Sequence, residues 1–261
     1  MKRRNFLKNT GAASLLALAP ASALRGHSPA PKKGPQYYEL RTYDLLSAQS
    51  QASLDAYLQN ALIPALKRLG AGPIGAYVDQ EPGETPHLYL LITYPKLKQF
   101  GQVPAQLAKD PAYLAASQAY HALPKDQMVY SRFRSSLLQA FDGLPQLINP
   151  PADHQIRELR IYESYSEDAH RRKVMMFDKE ELDLFYKTGL HPVFFGKALI
   201  GDRLPNLTYM LTFKDRQERD ANWQTFVKHP EWDVMKNKAE YADSVSKVSN
   251  YFLTPLPYSD I

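Results

Sequence analysis

The 261-residue chain contains no cysteine. That absence excludes a disulfide scaffold, a thiolate metal site, an iron–sulfur cluster, a cysteine nucleophile and a lipoprotein anchor. No apolar run approaches the ~20 residues that a bilayer-spanning helix needs, so no membrane span is expected. A basic surface is also missing, although 32 Lys and Arg against 27 Asp and Glu give a formal net charge of +5. Lys2, Arg3, Arg4 and Lys8 lie within residues 1–23, which carry no acid, so that segment holds +4 and the rest only +1. Nucleic-acid binding needs concentrated positive charge. The one basic run elsewhere, Arg171, Arg172 and Lys173, reads as a solvated helix face, so no nucleic-acid partner is expected. Hydrophobic residues make up 44% of the chain, too many for a disordered protein.

The first residues read as an address. KRRNFLK (residues 2–8) resembles the twin-arginine export signal through Arg3, Arg4, Phe6, Leu7 and Lys8, with Lys2 departing at the first position. A mildly apolar stretch from Gly11 to Pro20 follows, then Ala21-Ser22-Ala23, an A-x-A cleavage site. Residues 1–23 are therefore expected to be a signal peptide, and 24–35 a Pro-rich flexible leader. A periplasmic or secreted mature protein follows from that reading.

The body repeats itself. Glu39, Leu40, Arg41 and Tyr43 recur as Glu158, Leu159, Arg160 and Tyr162, at an offset of 119. LLITY (90–94) corresponds to YMLTF (209–213), and DPAY (110–113) to HPEW (229–232). LIPALKRLG (62–70) is matched to LHPVFFG (190–196). That match pairs Pro64 with Pro192 late in a helix and requires a gap in the second copy. Alternation predicts first strands over 37–43 and 156–162. Leu54, Leu58, Ala61, Leu62, Ala65 and Leu69 recur at helical spacing. Strands are expected near 73–79, 87–94, 197–203 and 207–213, and closing strands near 128–138 and 245–253. Helical stretches are expected over 96–121 and 215–241, restarting at Pro111 and Pro230. Each half is a β-α-β-β-α-β ferredoxin-like unit. The first spans 36–141 and the second 156–255, with a Pro-rich linker at 142–155 and a tail at 256–261. The predicted fold class is α+β, with two tandem ferredoxin-like repeats packed as an intramolecular dimeric α+β barrel.

The ELRxY strands, NLTYMLTF (206–213), HPEW (229–232), VSKVSN (245–250) and FLTP (252–255) resemble the NIPSNAP family. The resemblance covers about residues 36–255 and implies the dimeric α+β barrel fold. That wider superfamily includes cofactor-free monooxygenases, heme enzymes and plain binding proteins, so fold alone assigns no reaction. Heme-degrading members use an Asn, a Trp and a His. Asn206, Trp223 and His229 do not match that spacing, and neither Tyr209 nor Trp232 restores it. Trp223 and Phe226 read as core and His229 as an N-cap.

Alternation puts Glu39, Arg41 and Tyr43 on one strand face, and Glu158, Arg160 and Tyr162 on its counterpart. These six are expected to line the space between the sheets, with Leu40 and Leu159 facing the helices. They make either a polar pocket whose arginines bind an anionic or carbonyl group, or Glu–Arg pairs that satisfy one another. His191, paired with Ile63 in the repeat match, is either a heme ligand or base, or a helix-end histidine. The histidines show no zinc-type spacing, so no metal is expected, and the cofactor stays open. Met175 and Met176 read as packing. GAGPIG (70–75) satisfies G-x-G-x-x-G, but it follows a helix and precedes a strand, the reverse of a dinucleotide site. The expected function is small-molecule binding in a barrel pocket, with monooxygenase-like activity as its reaction. The alternative is a non-catalytic binding or interaction module. A monomer or weak homo-oligomer is expected, because the duplication already supplies both halves of the barrel.

Overall fold

A computed structural model describes residues 34–261. The export signal and most of the leader lie outside the described residues. Repeat one runs β1 (Tyr37–Leu45), α1 (Ala48–Tyr57), a π turn (Leu58–Leu62), α2 (Ile63–Arg68), β2 (Ile74–Asp79), β3 (His87–Tyr94), α3 (Leu97–Leu107), α4 (Pro111–His121) and β4 (Tyr130–Ala140). Repeat two runs β5 (Ile156–Glu163), α5 (Glu167–Met176), a π turn (Phe177–Glu181), α6 (Leu182–Lys187), β6 (His191–Ile200), β7 (Asn206–Phe213), α7 (Arg216–Lys228), α8 (Pro230–Lys236) and β8 (Lys247–Pro255). The local signals explain the starts. Ser47 and Ser166 cap α1 and α5 through their side chains, Asp110 caps α4, and His229 caps α8 ahead of Pro230.

The starts of α1 and α5, of the two π turns, of α2 and α6, and of β3 and β7 all differ by 119 residues. The second repeat therefore has no gap, and the matching of Pro64 to Pro192 is corrected. Pro64 lies in α2, whereas Pro192 is the second residue of β6 and corresponds to Pro73. His191 accordingly stands in place of Gly72, at the start of a strand, and not in place of Ile63 in a helix.

The eight strands close into a barrel in the order β1-β3-β2-β8-β5-β7-β6-β4. Each half contributes four antiparallel strands. The seams are β2 against β8, through Tyr77–Pro255 to Asp79–Leu253, and β4 against β6, from Leu137 to Ala140. Closure removes the open edges that a single half would expose. Residues after β8 continue along β2. Leu256 N–H donates to the Ala76 carbonyl, Asp260 N–H to that of Ile74, and Asp260 pairs with Lys67.

Three apolar clusters result. Tyr38, Leu40, Tyr77, Leu91, Leu138, Leu159, Phe194 and Met210 fill the barrel interior. Tyr43 and Leu45 pack instead with Leu54, Leu58 and Leu62 beneath the helices of repeat one. Tyr162 does the same with Met176, Phe177 and Phe185 in repeat two. The alternation expected from sequence holds, but its sense is inverted. Leu40 and Leu159 face the barrel interior, whereas Glu39, Arg41, Tyr43, Glu158, Arg160 and Tyr162 face the helices. The physical reason is closure. The interior of an eight-stranded barrel is filled by side chains, leaving little water to solvate charge. The helix layer is open at its rim, where Arg41 and Arg160 keep 17% and 14% of their side chains exposed. No helix among the described residues is long and apolar enough to cross a membrane.

Candidate functional site

Two hollows are candidates. The first, about 180 Å³, opens at one mouth of the barrel between Leu40, Thr42, Leu159, Ile161, Arg134 and Tyr251, and so draws on both repeats. Its polar wall is internally satisfied. Asp79 bonds His87 Nδ1 at 2.9 Å and accepts from the Tyr89 hydroxyl at 3.0 Å. Arg203 donates to the Tyr251 hydroxyl at 3.2 Å.

The second hollow, about 340 Å³, lies between β5 and helices α5, α7 and α8. Small-ligand pockets span roughly 300–1,000 Å³, a range this hollow reaches and the barrel mouth does not. Arg160, Tyr162, Lys173, Glu181, Arg219, Trp223 and Trp232 line it. Behind the lining, the fully buried Glu158 accepts four hydrogen bonds from it. They come from Arg160 Nη1 (2.7 Å), Arg219 Nη2 (2.6 Å), Arg219 Nε (3.0 Å) and Trp223 Nε1 (2.9 Å). Burial pushes the Glu158 carboxyl up, but Arg219, Arg160 and the indole N–H outweigh that and hold it below its ordinary range. Lys173 and Glu181, both under 5% exposed, form an ion pair of 2.7 Å. Burial pushes the Glu181 carboxyl up, with Lys173 opposing.

Three donors in this cleft are distinctive. Arg160 stacks over Trp223, its guanidinium carbon 4.4 Å from the ring centroid, and its Nε is buried without a partner. The Tyr162 hydroxyl accepts from Tyr209 at 2.9 Å and from Arg160 Nη2 at 3.1 Å. Its own proton is therefore left to point at something else. Lys173 lies 4.5 Å from the Phe177 ring centroid. The three cations Arg160, Lys173 and Arg219 meet Glu158, Glu181 and, at the exposed rim, Asp220, which accepts from Arg219 Nη1 at 2.9 Å.

Repeat one lacks all of this. At the matching positions it has Leu54 for Lys173, Leu62 for Glu181, Phe100 for Arg219 and Pro104 for Trp223. Those leucines are fully buried core. Arg41 bonds Glu39 at 2.6 and 3.2 Å, and Glu39 also accepts from Tyr94 and Ser135. Glu39, Arg41 and Tyr43 thus make a self-satisfied network that lines neither hollow. Of the six strand residues singled out from sequence, Arg160 and Tyr162 line a cleft, and Glu158 holds Arg160 from behind.

The basic run at 171–173 also divides. Arg171 and Arg172 pair with Asp168 on the surface, while Lys173 turns inward. Sequence reasoning missed Lys173, Glu181 and Arg219. A comparison of the repeats at the constant offset would have found them, as apolar residues turned into charges at matched positions. His191 lines neither hollow; its ring lies 5.2 Å from that of His154. Neither the barrel mouth nor the cleft presents a free histidine to an apolar slot, because His87 is tied to Asp79. The residues present do not fit a heme held by His191.

An antiparallel eight-stranded barrel of two ferredoxin-like halves, with helices outside, defines the class of dimeric α+β barrel proteins. The NIPSNAP family model matches residues 38–134 and 157–260, one segment per repeat, and the chain belongs to the NIPSNAP family. No curated protein matches the chain. Among solved structures, it is similar to a candidate monooxygenase from Lactobacillus acidophilus, at 12% identity and a TM-score of 0.56, covering 85% of this chain and 94% of that one. A candidate monooxygenase from Fusobacterium nucleatum is 10% identical, with a TM-score of 0.52 over 85% and 93% of the two chains. An anthrone oxidase-like protein is 8% identical, with a TM-score of 0.50 over 86% and 92%. At these identities the likeness is one of fold.

Proposed function

We propose that this protein is exported by the twin-arginine route and binds a small anionic, ring-containing molecule in the cleft of repeat two. The observation that carries the reading is the divergence of the two repeats. One fills the space between sheet and helices with leucines. The other replaces those leucines by a buried ion pair, surrounds them with Trp223, Trp232, Tyr162 and Phe226, and leaves the Arg160 Nε and the Tyr162 hydroxyl proton without a partner. Buried charge opposes folding unless it is compensated, so the addition of the Lys173–Glu181 pair in one repeat only favours a ligand role over a packing role. Arg160, Arg219 and the free proton of Tyr162 would receive a carboxylate or phenolate, and the tryptophans would cover its ring. Oxygenation of that ring is the reaction class that the neighbouring folds support. A binding module without chemistry is the alternative.

The chain's two tryptophans, Trp223 and Trp232, both line the cleft, so fluorescence excited selectively at tryptophan reports on it. Titration with aromatic carboxylates such as salicylate, alongside native mass spectrometry of the exported protein, tests the reading. A saturable fluorescence change, or a co-purified aromatic acid, is expected. Flat fluorescence across the series together with a bare chain mass overturns it. Oxygen uptake in the presence of a bound ligand separates the enzyme from the module.

A further inference from the structure

The structure gathers three metal-type ligands that the sequence scatters. His154 comes from the linker, His191 from the first residue of β6, and Glu218 from the first turn of α7. One donor atom from each lies within 4.8 Å of the other two. We propose that His154, His191 and Glu218 form a binding site for a divalent transition-metal cation of zinc-like ligand preference. The inference stands apart from the ligand cleft and does not rest on it.

Two imidazoles and a carboxylate are a donor set that such ions accept, with a fourth position left to water. Bonds of about 2.0–2.1 Å in a tetrahedron place donors about 3.3 Å apart. The three groups therefore need to close by small side-chain rotations, and His191 and Glu218 are only half-buried, free to turn. His154 is the fixed member. It is 5% exposed, its Nδ1 is buried with no hydrogen-bond partner, and Arg157 anchors its carbonyl at 3.0 Å. That ring nitrogen is therefore free to act as a ligand. The ring of His191 makes no hydrogen bond among the described residues. Glu218 spends one oxygen on the Lys214 backbone N–H at 2.7 Å and keeps the other.

The repeat supplies an internal control. The positions matching His154, His191 and Glu218 in repeat one are Pro35, Gly72 and Gln99, none of which makes a site. None of those three positions carries a histidine or a carboxylate. Gln99 performs the same capping task for α3, accepting from the Lys96 backbone N–H at 3.1 Å. Glu218→Gln therefore keeps the helix start while weakening a metal ligand. A bound ion would fasten the linker to β6 and to the first turn of α7, whose next residue, Arg219, holds Glu158.

The test uses tag-free mature protein stripped by chelation and titrated with Co²⁺, then Zn²⁺. The expected result is one equivalent of cobalt with visible d–d bands, displaced by zinc, and a rise of several degrees in the thermal midpoint. His191→Ala and Glu218→Gln should each weaken cobalt binding more than tenfold, with circular dichroism unchanged. Absence of stoichiometric cobalt uptake, or an affinity unchanged in either variant, overturns the proposal.

Discussion

Replacing Lys173 and Glu181 by the leucines that repeat one holds at the same positions separates the energetics of the cleft from its function. The pair is buried, at 2.7 Å, and no other carboxylate bonds Lys173. Glu181→Leu leaves an ammonium facing Phe177 and the Met176 sulfur, neither of which can neutralise it. Breaking a buried pair from one side costs about 3–5 kcal/mol. For a domain of this size, 1 kcal/mol moves the melting point by about 2–4 °C, so Glu181→Leu should lower it by about 6–20 °C. Lys173→Leu should cost less, because Glu181, whose carboxyl is already pushed up by burial, can take a proton. The sign follows from linkage. A carboxyl raised in the folded state stabilises below its unfolded value of about 4.3, and that benefit is lost as pH rises through the folded value. The Lys173→Leu defect should therefore shrink as pH is lowered toward 5. The double leucine variant removes both charges, and replacing a buried pair by apolar groups is often neutral or stabilising by about 1–4 kcal/mol. Differential scanning calorimetry on the four proteins closes the cycle. Two small, additive single effects would refute the reasoning, since they would mean a hydrated pair with no coupling. In the ligand assay the double variant should fold yet lose the saturable fluorescence change.

Other perturbations follow from the same geometry. Tyr162→Phe removes the acceptor of the fully buried Tyr209 hydroxyl and of Arg160, costing about 1–3 kcal/mol in urea unfolding and at least tenfold in ligand affinity. Glu158 has a depressed carboxyl, so its stabilisation is present above about pH 4.3 and lost as pH falls through the folded value. Glu158→Gln should flatten that acid limb while lowering stability at pH 7. A Cβ on Gly75 would collide with the Tyr77 hydroxyl and ring inside the barrel, so Gly75→Ala should cost about 1–3 kcal/mol by overpacking, read from the denaturation midpoint. Changing Arg3 and Arg4 together to Lys should leave the precursor in the cytoplasm, as cell fractionation would show.

The duplication, the tandem ferredoxin-like architecture and the strand and helix positions outside the segment entering β6 were determined by the sequence itself; there a helix end was expected at 190–196, and β6 spans His191–Ile200. Each rests on local physics: alternation at 37–43, helical spacing from Leu54 to Leu69, and prolines at the first turns of α4 and α8. Only tertiary structure decided which strand face was inside. Alternation fixes that Glu39 and Arg41 share a face, but the sense depends on whether the buried side holds a partner sheet or a helix layer. Barrel closure assigned the interior to Leu40 and Leu159. Register in the irregular segment before β6 was likewise invisible, because Pro192 has two proline counterparts, and strand pairing with β7 selects Pro73. The cleft and the histidine pair lie beyond local reading for the same reason. Lys173 and Arg219 stand 46 residues apart and His154 and Glu218 stand 64 apart. Nothing local joins residues at such separations, and only the packing of the helices against the strands of repeat two brings them together.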